Sequence, residues 1–229
     1  MKFDYIYVNA RFIERPNRFI AMVEIDGEIH KAHVPNTGRL KELLIEGRKV
    51  LLSFHDDQKR KTKYELRFVE KDQIWISVDS QLPNKIVKEA LENRELEVFS
   101  DYDKVNTEVG FGKSRIDIFL DSDKGKFIEI KGVNLELNSW GYFPDAPTSR
   151  GSKHLEELIV AKENGFDAAV VFLIQNPLIQ GFSPNKITDP KFSKILIEAY
   201  YKGVEIYAYR ADISPIGAVV KDRLPLILS

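Results

Sequence analysis

Three residues near the middle of the chain have the types and spacing that phosphodiester chemistry asks for: Asp117, Glu129 and Lys131. Two carboxylates can share one hard divalent cation. An ammonium beside them can orient or deprotonate a water and offset charge that builds on a phosphorane-like transition state. Whether the three meet depends on the backbone that carries them. Residues 114–120 and 126–131 alternate as strands do, so Asp117 projects from one face of the first, while Glu129 and Lys131 share one face of the second. Asp121-Ser122-Asp123-Lys124-Gly125 joins the two strands. A three-residue loop of Ser122-Asp123-Lys124 sets Asp117 opposite Glu129, about 5 Å apart at Cβ. A slip of one residue parts them. The metal expected at such a pair is Mg2+ or Mn2+, with water completing its shell.

Both acids could instead pair with Lys113, Arg115 or Lys131 on a solvated sheet face, the common fate of charged residues in strands. Against that reading, Ile116, Ile118, Ile128 and Ile130 imply a central hairpin, where unpaired acids are costly.

The surrounding elements divide the chain in two. Residues 3–13, 18–25 and 28–34 alternate around turn signals at Pro16-Asn17 and Asp26-Gly27 and predict a meander. A short helical pattern at 38–44 follows, then strands near 49–55, 63–70 and 73–78, an order that suggests an OB-like β-barrel over residues 1–82. From Leu82-Pro83-Asn84 the period becomes helical, with Asn84 as the N-cap of a helix running to about Glu97. Strands at 102–109, 114–120 and 126–131 lead to a helix over 148–164, stopped by Gly165. The apolar run 168–174 then reads as a strand buried on both faces. A helix at 191–202 and a strand at 204–209 precede an irregular tail. Residues 83–229 are thus a second, α/β domain.

Composition narrows the function classes. With 43% apolar and 30% charged residues, and 34 Lys and Arg against 35 Asp and Glu, net charge gives no hint of a polyanionic partner, and any basic surface is local. The absence of cysteine excludes disulfides, thiolate zinc sites and cysteine nucleophiles. No signal-peptide core or membrane-length apolar run is visible, so the expected location is the cytoplasm, with no membrane partner.

Asp117, a hairpin and Glu129-Ile130-Lys131, within a helix, three strands, helix, strand order, resemble the PD-(D/E)xK phosphodiesterase superfamily and its restriction-endonuclease-like fold. Longer blocks resemble one family. These are His33-Val34-Pro35-Asn36-Thr37-Gly38, Ser114-Arg115-Ile116-Asp117, Glu129-Ile130-Lys131, and Phe143-Pro144-Asp145-Ala146 followed by Arg150-Gly151-Ser152-Lys153-His154-Leu155. Together they are similar to the sugar fermentation stimulation protein family over nearly the whole chain. The resemblance implies DNA binding, with a regulatory link to sugar use, and a metal-dependent nuclease-like site. A non-catalytic DNA-binding regulator is the alternative. Two positions depart from the pattern: Ile116 stands where the superfamily has proline, and Val34 where a cysteine is expected.

The resemblance also implies a third acid, with Glu89 on the first helix and Glu108 on the first strand as candidates; each could equally be a surface acid, Glu89 pairing with Lys85. Arg150, Lys153 and His154, at or near a helix start, are candidate phosphate contacts, and Arg115 joins them; Arg150 and Lys153 could instead be solvated charge, and His154 a satisfied packing residue. In the first half, Lys59, Arg60 and Lys61 lie on a barrel loop where OB folds often grip single strands, and Asn36 and Arg39 flank the short helix, where they contact nucleic acid or brace the fold. The expected partner is DNA, single- or double-stranded, and a homodimer is left open.

Overall fold

The computed structural model describes residues 1–228. The chain divides into two compact units, Met1–Leu82 with Asp212–Ala218, and Pro83–Ala211 with the residues from Val219 onward. The stretch 212–218 therefore belongs with the first unit, although a cut at residue 82 assigns it to the second.

The first unit is an OB-like barrel. Its strands are β1 (Ile6–Asn17), β2 (Ile20–Ile25), β3 (Glu28–His33), β4 (Lys49–Phe54), β5 (Tyr64–Lys71) and β6 (Ile74–Ser77). Asn17 Oδ1 accepts from the N–H groups of Phe19 and Ile20 and turns β1 into β2. Asp26 and Gly27, both at positive φ, turn β2 into β3. Antiparallel pairs β1–β2, β2–β3, β1–β4 and β4–β5 are closed into a ring by a parallel contact of β3 with β5, Ala32 against Tyr64. Inward residues such as Val23, Ala32, Val50, Leu52 and Leu66 fill it.

Residues 38–44 form turns, not the helix their spacing suggests. Leu40 sits at φ +50°, and the Arg15 guanidinium takes the carbonyls of Asn36, Gly38 and Arg39, so these oxygens are drawn away from a helical ladder.

The second unit starts with α1 (Leu82–Glu92), then a 3-10 turn at Glu97–Phe99. The helix begins two residues before Asn84, because Asp79 accepts the N–H groups of Gln81 and Leu82 and does the capping instead. It ends short of residue 97, where Arg94 turns to φ +59° and the Glu95 N–H closes on the Ala90 carbonyl. Next come β7 (Lys104–Phe111), β8 (Ser114–Asp121), β9 (Lys126–Val133), β10 (Glu136–Leu137), β11 (Trp140–Phe143), α2 (Ser149–Glu163), β12 (Asp167–Ile174), β13 (Gly181–Pro184), α3 (Pro190–Tyr201), β14 (Glu205–Ser214) and β15 (Gly217–Arg223).

The main sheet runs β15-β14-β12-β9-β8-β7, and β10, β11 and β13 form a small second sheet. β9, β12 and β14 are parallel, joined through α2 and α3, whose apolar faces share a core with Phe127, Val170, Phe172 and Ala208. The expected irregular tail is instead the end of β14 returning as β15. Among the described residues, no helix is long and apolar enough to cross a membrane.

Candidate functional site

β8 and β9 pair as Leu120 with Lys126, Phe119 with Phe127 and Ile118 with Ile128. Continued by one step, that register sets Asp117 across from Glu129. At that step the backbone pairing stops, and the Asp117 side chain bridges the gap: its Oδ2 accepts the Ile130 N–H at 2.8 Å. Its Oδ1 accepts from Asn84 Nδ2 in the first turn of α1, also at 2.8 Å. Burial pushes the Asp117 carboxyl up to about 6, and the Glu129 charge adds to the rise, against the opposing pull of Lys131 and the two hydrogen-bond donors.

Glu129 lies deeper, 1% exposed, with β12 on its other side. Its Oε1 is engaged by Lys131 Nζ and by His154 Nδ1 from α2. Its Oε2 is buried without a hydrogen-bond partner. Burial alone would raise this carboxyl, yet the Lys131 charge and the His154 hydrogen bond outweigh it and hold Glu129 below the ordinary range. Arg150 Nε reaches His154 Nε2 at 3.3 Å.

The donor set suits a hard divalent cation. One buried carboxylate oxygen is uncommitted, and a neighbouring carboxylate is destabilised by the first, so a cation between them would relieve both. Among the described residues, however, no group of three or more His, Asp or Glu side chains stands close enough to hold a metal ion. The chain offers two acids, and water or phosphate must complete the shell.

Neither expected third acid joins that pair in a cluster able to hold a metal. Glu108 is exposed on β7 at φ +54°, in the gap between the pairs Thr107 with Ile118 and Val109 with Ile116. Glu89 is half-buried on α1. Of its two readings, His154 takes the packed one: 3% exposed, it faces Glu129 and is not offered to a phosphate. Arg150 and Arg115 are exposed, and Lys153 is half-buried, donating to the Lys113 carbonyl at 2.9 Å. Thr148 caps α2 through Gly151 N, so Arg150 stands in the first turn.

In the first unit, Lys59 and Lys61 are exposed, but Arg60 is committed to Glu65. Glu65 also holds His33 and Arg67, and Arg67 reaches Asp79 at 2.7 Å and Ser53 at 2.9 Å, a buried network that explains why Arg60 turns inward. Asn36 bridges the Val78 carbonyl and the Gly38 N–H, bracing its loop rather than facing a ligand, whereas Arg39 is exposed. The sequence offers Asn84 only as a helix cap, whereas the fold sets it against Asp117. Asparagine is a poor choice inside a helix, and that was the available signal of another task.

The family model described as the sugar fermentation stimulation protein RE domain matches residues 81–217, and that for the SfsA N-terminal OB domain matches residues 13–78. A sugar fermentation stimulation protein homolog from Caldanaerobacter subterraneus subsp. tengcongensis is 50% identical over 96% of this chain and 97% of its own length. One from Clostridium kluyveri is 44% identical over 100% of both. The solved structure of Pyrococcus furiosus SfsA in complex with Ca2+ superposes with a TM-score of 0.89 at 30% identity, over 99% of each chain. With both halves matched in order and near full-length relatives at such identity, the chain belongs to the sugar fermentation stimulation protein family.

Proposed function

We propose that this protein works in the cytoplasm, binds DNA and hydrolyses phosphodiester bonds at Asp117, Glu129 and Lys131. The observation that carries the reading is the buried, uncommitted Oε2 of Glu129 beside an Asp117 carboxyl whose ionisation Glu129 opposes. Mg2+ or Mn2+ held by these two acids would supply Lewis-acid activation of the phosphate. The relative from Pyrococcus furiosus was solved in complex with Ca2+, a hard, oxygen-binding cation, which supports a cation of that class here.

The chain's own residues do the rest. The Ile130 N–H and Asn84 fix the Asp117 carboxylate from two sides, so it is preorganised by the fold. Lys131 carries three donors; beyond the one on Glu129, the ammonium can orient a water or meet charge developing on phosphate oxygens. Arg115, Arg150 and Lys153 near the site, and Lys59 and Lys61 in the barrel, are the phosphate contacts in this reading.

A second reading, a non-catalytic DNA-binding regulator of sugar use, draws on the finding that, among the described residues, no group of three or more His, Asp or Glu side chains could hold a metal ion. Incubation with single- and double-stranded DNA plus Mg2+ or Mn2+ decides between them. The first reading expects cleavage that Asp117→Ala abolishes; binding without cleavage, unaffected by Asp117→Ala, establishes the second.

A further inference from the structure

His154 is 3% exposed, so both of its ring nitrogens must be accounted for inside the protein. Nε2 faces Arg150 Nε, one turn earlier on α2. A guanidinium carries donors only, so Nε2 accepts and bears no proton. The ring proton therefore resides on Nδ1, the nitrogen at Glu129 Oε1, and the imidazole donates to the carboxylate. Lys131 donates to the same oxygen. With both donors gathered on Oε1, the buried Oε2 is the oxygen left free. The last torsion of a glutamate is otherwise broad and two-fold, so a carboxylate without such partners would not distinguish its two oxygens.

We infer that Arg150 and His154 are positioning residues: an imidazole tautomer set by arginine holds Glu129 by Oε1, so that Oε2 is presented to a divalent cation. This rests on the reading of Asp117 and Glu129 as the cation-holding pair. It is the arrangement by which partners behind a ligand orient it, and losing such partners typically weakens metal binding about 10- to 100-fold. It also gives His154 a role other than gripping a phosphate, and Arg150 one beside it, since only its Nε is engaged with His154.

The full-length protein, labelled with 15N, tests this by long-range correlation of the imidazole nitrogens. The expected spectrum shows His154 protonated at Nδ1, with that preference lost in Arg150→Ala, an exposed site whose change leaves the fold intact. Mn2+ binding, followed by water-proton relaxation, gives the second readout. His154→Ala is expected to weaken it about 10- to 100-fold. His154→Asn, whose amide can stand where the ring Nδ1–H stands, is expected to recover most of the loss, which a merely space-filling role would not require. A proton on Nε2, or a His154→Asn as weak as His154→Ala, overturns the inference. Equal Mn2+ affinity in the wild type and His154→Ala overturns it while leaving the cation reading intact. A wild type that does not bind Mn2+ overturns both.

Discussion

Asp117 Oδ2 accepts the Ile130 N–H at the step where β8 and β9 stop exchanging backbone hydrogen bonds. A side chain thus takes over from the backbone ladder between β8 and β9. The carboxylate is placed by the fold itself. Its position and the integrity of the hairpin are consequently coupled, and variants at 117 report on both.

The raised Asp117 carboxyl makes a stability prediction with a definite sign. From its ordinary 3.8 it is pushed to about 6, chiefly by burial and then by Glu129. Between these values the folded chain holds a proton that the unfolded chain has released, so stability falls as pH rises through this window. The full penalty, on the order of 3 kcal/mol, is present above pH 6 and absent below about pH 4. Asp117→Asn removes this titration. Urea denaturation at a series of pH values should show the variant gaining on the wild type from pH 4 to 7, and a constant difference would count against a perturbed Asp117.

Lys131→Met takes the cationic partner from a carboxylate that is 1% exposed. Breaking a buried pair on one side costs about 3–5 kcal/mol, so thermal unfolding should show a large loss. Adding Glu129→Gln should restore much of that stability while cleavage stays absent. A single variant as stable as the wild type would contradict the reliance of the buried Glu129 charge on Lys131.

Gly132 follows Lys131 and has no room for a side chain. A Cβ there would lie 2.7 Å from Pro83 Cγ and 2.8 Å from Gln175 Nε2. Gly132→Ala should cost about 1–3 kcal/mol by overpacking, measured as a lower denaturation midpoint. Its position next to Lys131 makes reduced cleavage by the remaining folded protein a further expected outcome.

The barrel loop separates binding from folding. Lys59 and Lys61 are exposed, so Lys59→Ala and Lys61→Ala should leave stability unchanged. Each should lower the slope of log affinity for DNA against log salt by about one. Arg60→Ala removes a hydrogen-bonded partner of Glu65 and should cost on the order of 1–3 kcal/mol of stability. Equal salt slopes in all three variants would move the DNA contact elsewhere.

Much of this was legible in the chain. The hairpin register could be read because its short loop and the alternation of isoleucines agree, and 168–174 because an unbroken apolar run is what a doubly covered strand requires. Residues 38–44 misled because helical spacing says nothing about carbonyls claimed by Arg15, which lies more than twenty residues away. Proximity in sequence sets His154 beside Arg150 and Lys153. Yet Gly151, His154, Leu155 and Leu158 recur at helical spacing and are all buried, so the helix period already turned His154 inward. That it meets Glu129 depends on how α2 packs over β9, which no local pattern encodes. The third acid is of the same kind, since only the tertiary arrangement shows that, among the described residues, Glu89 and Glu108 form no metal-holding group with the pair.

The most direct measurement is an anomalous difference map from crystals of the full chain soaked in Mn2+. The expected result is a single strong peak bound by Asp117 and by Oε2 of Glu129, with Lys131 and His154 still on Oε1. A map without a peak there, or with Mn2+ held by other side chains while Asp117 and Glu129 keep their present partners, would contradict a cation-assisted phosphodiesterase site.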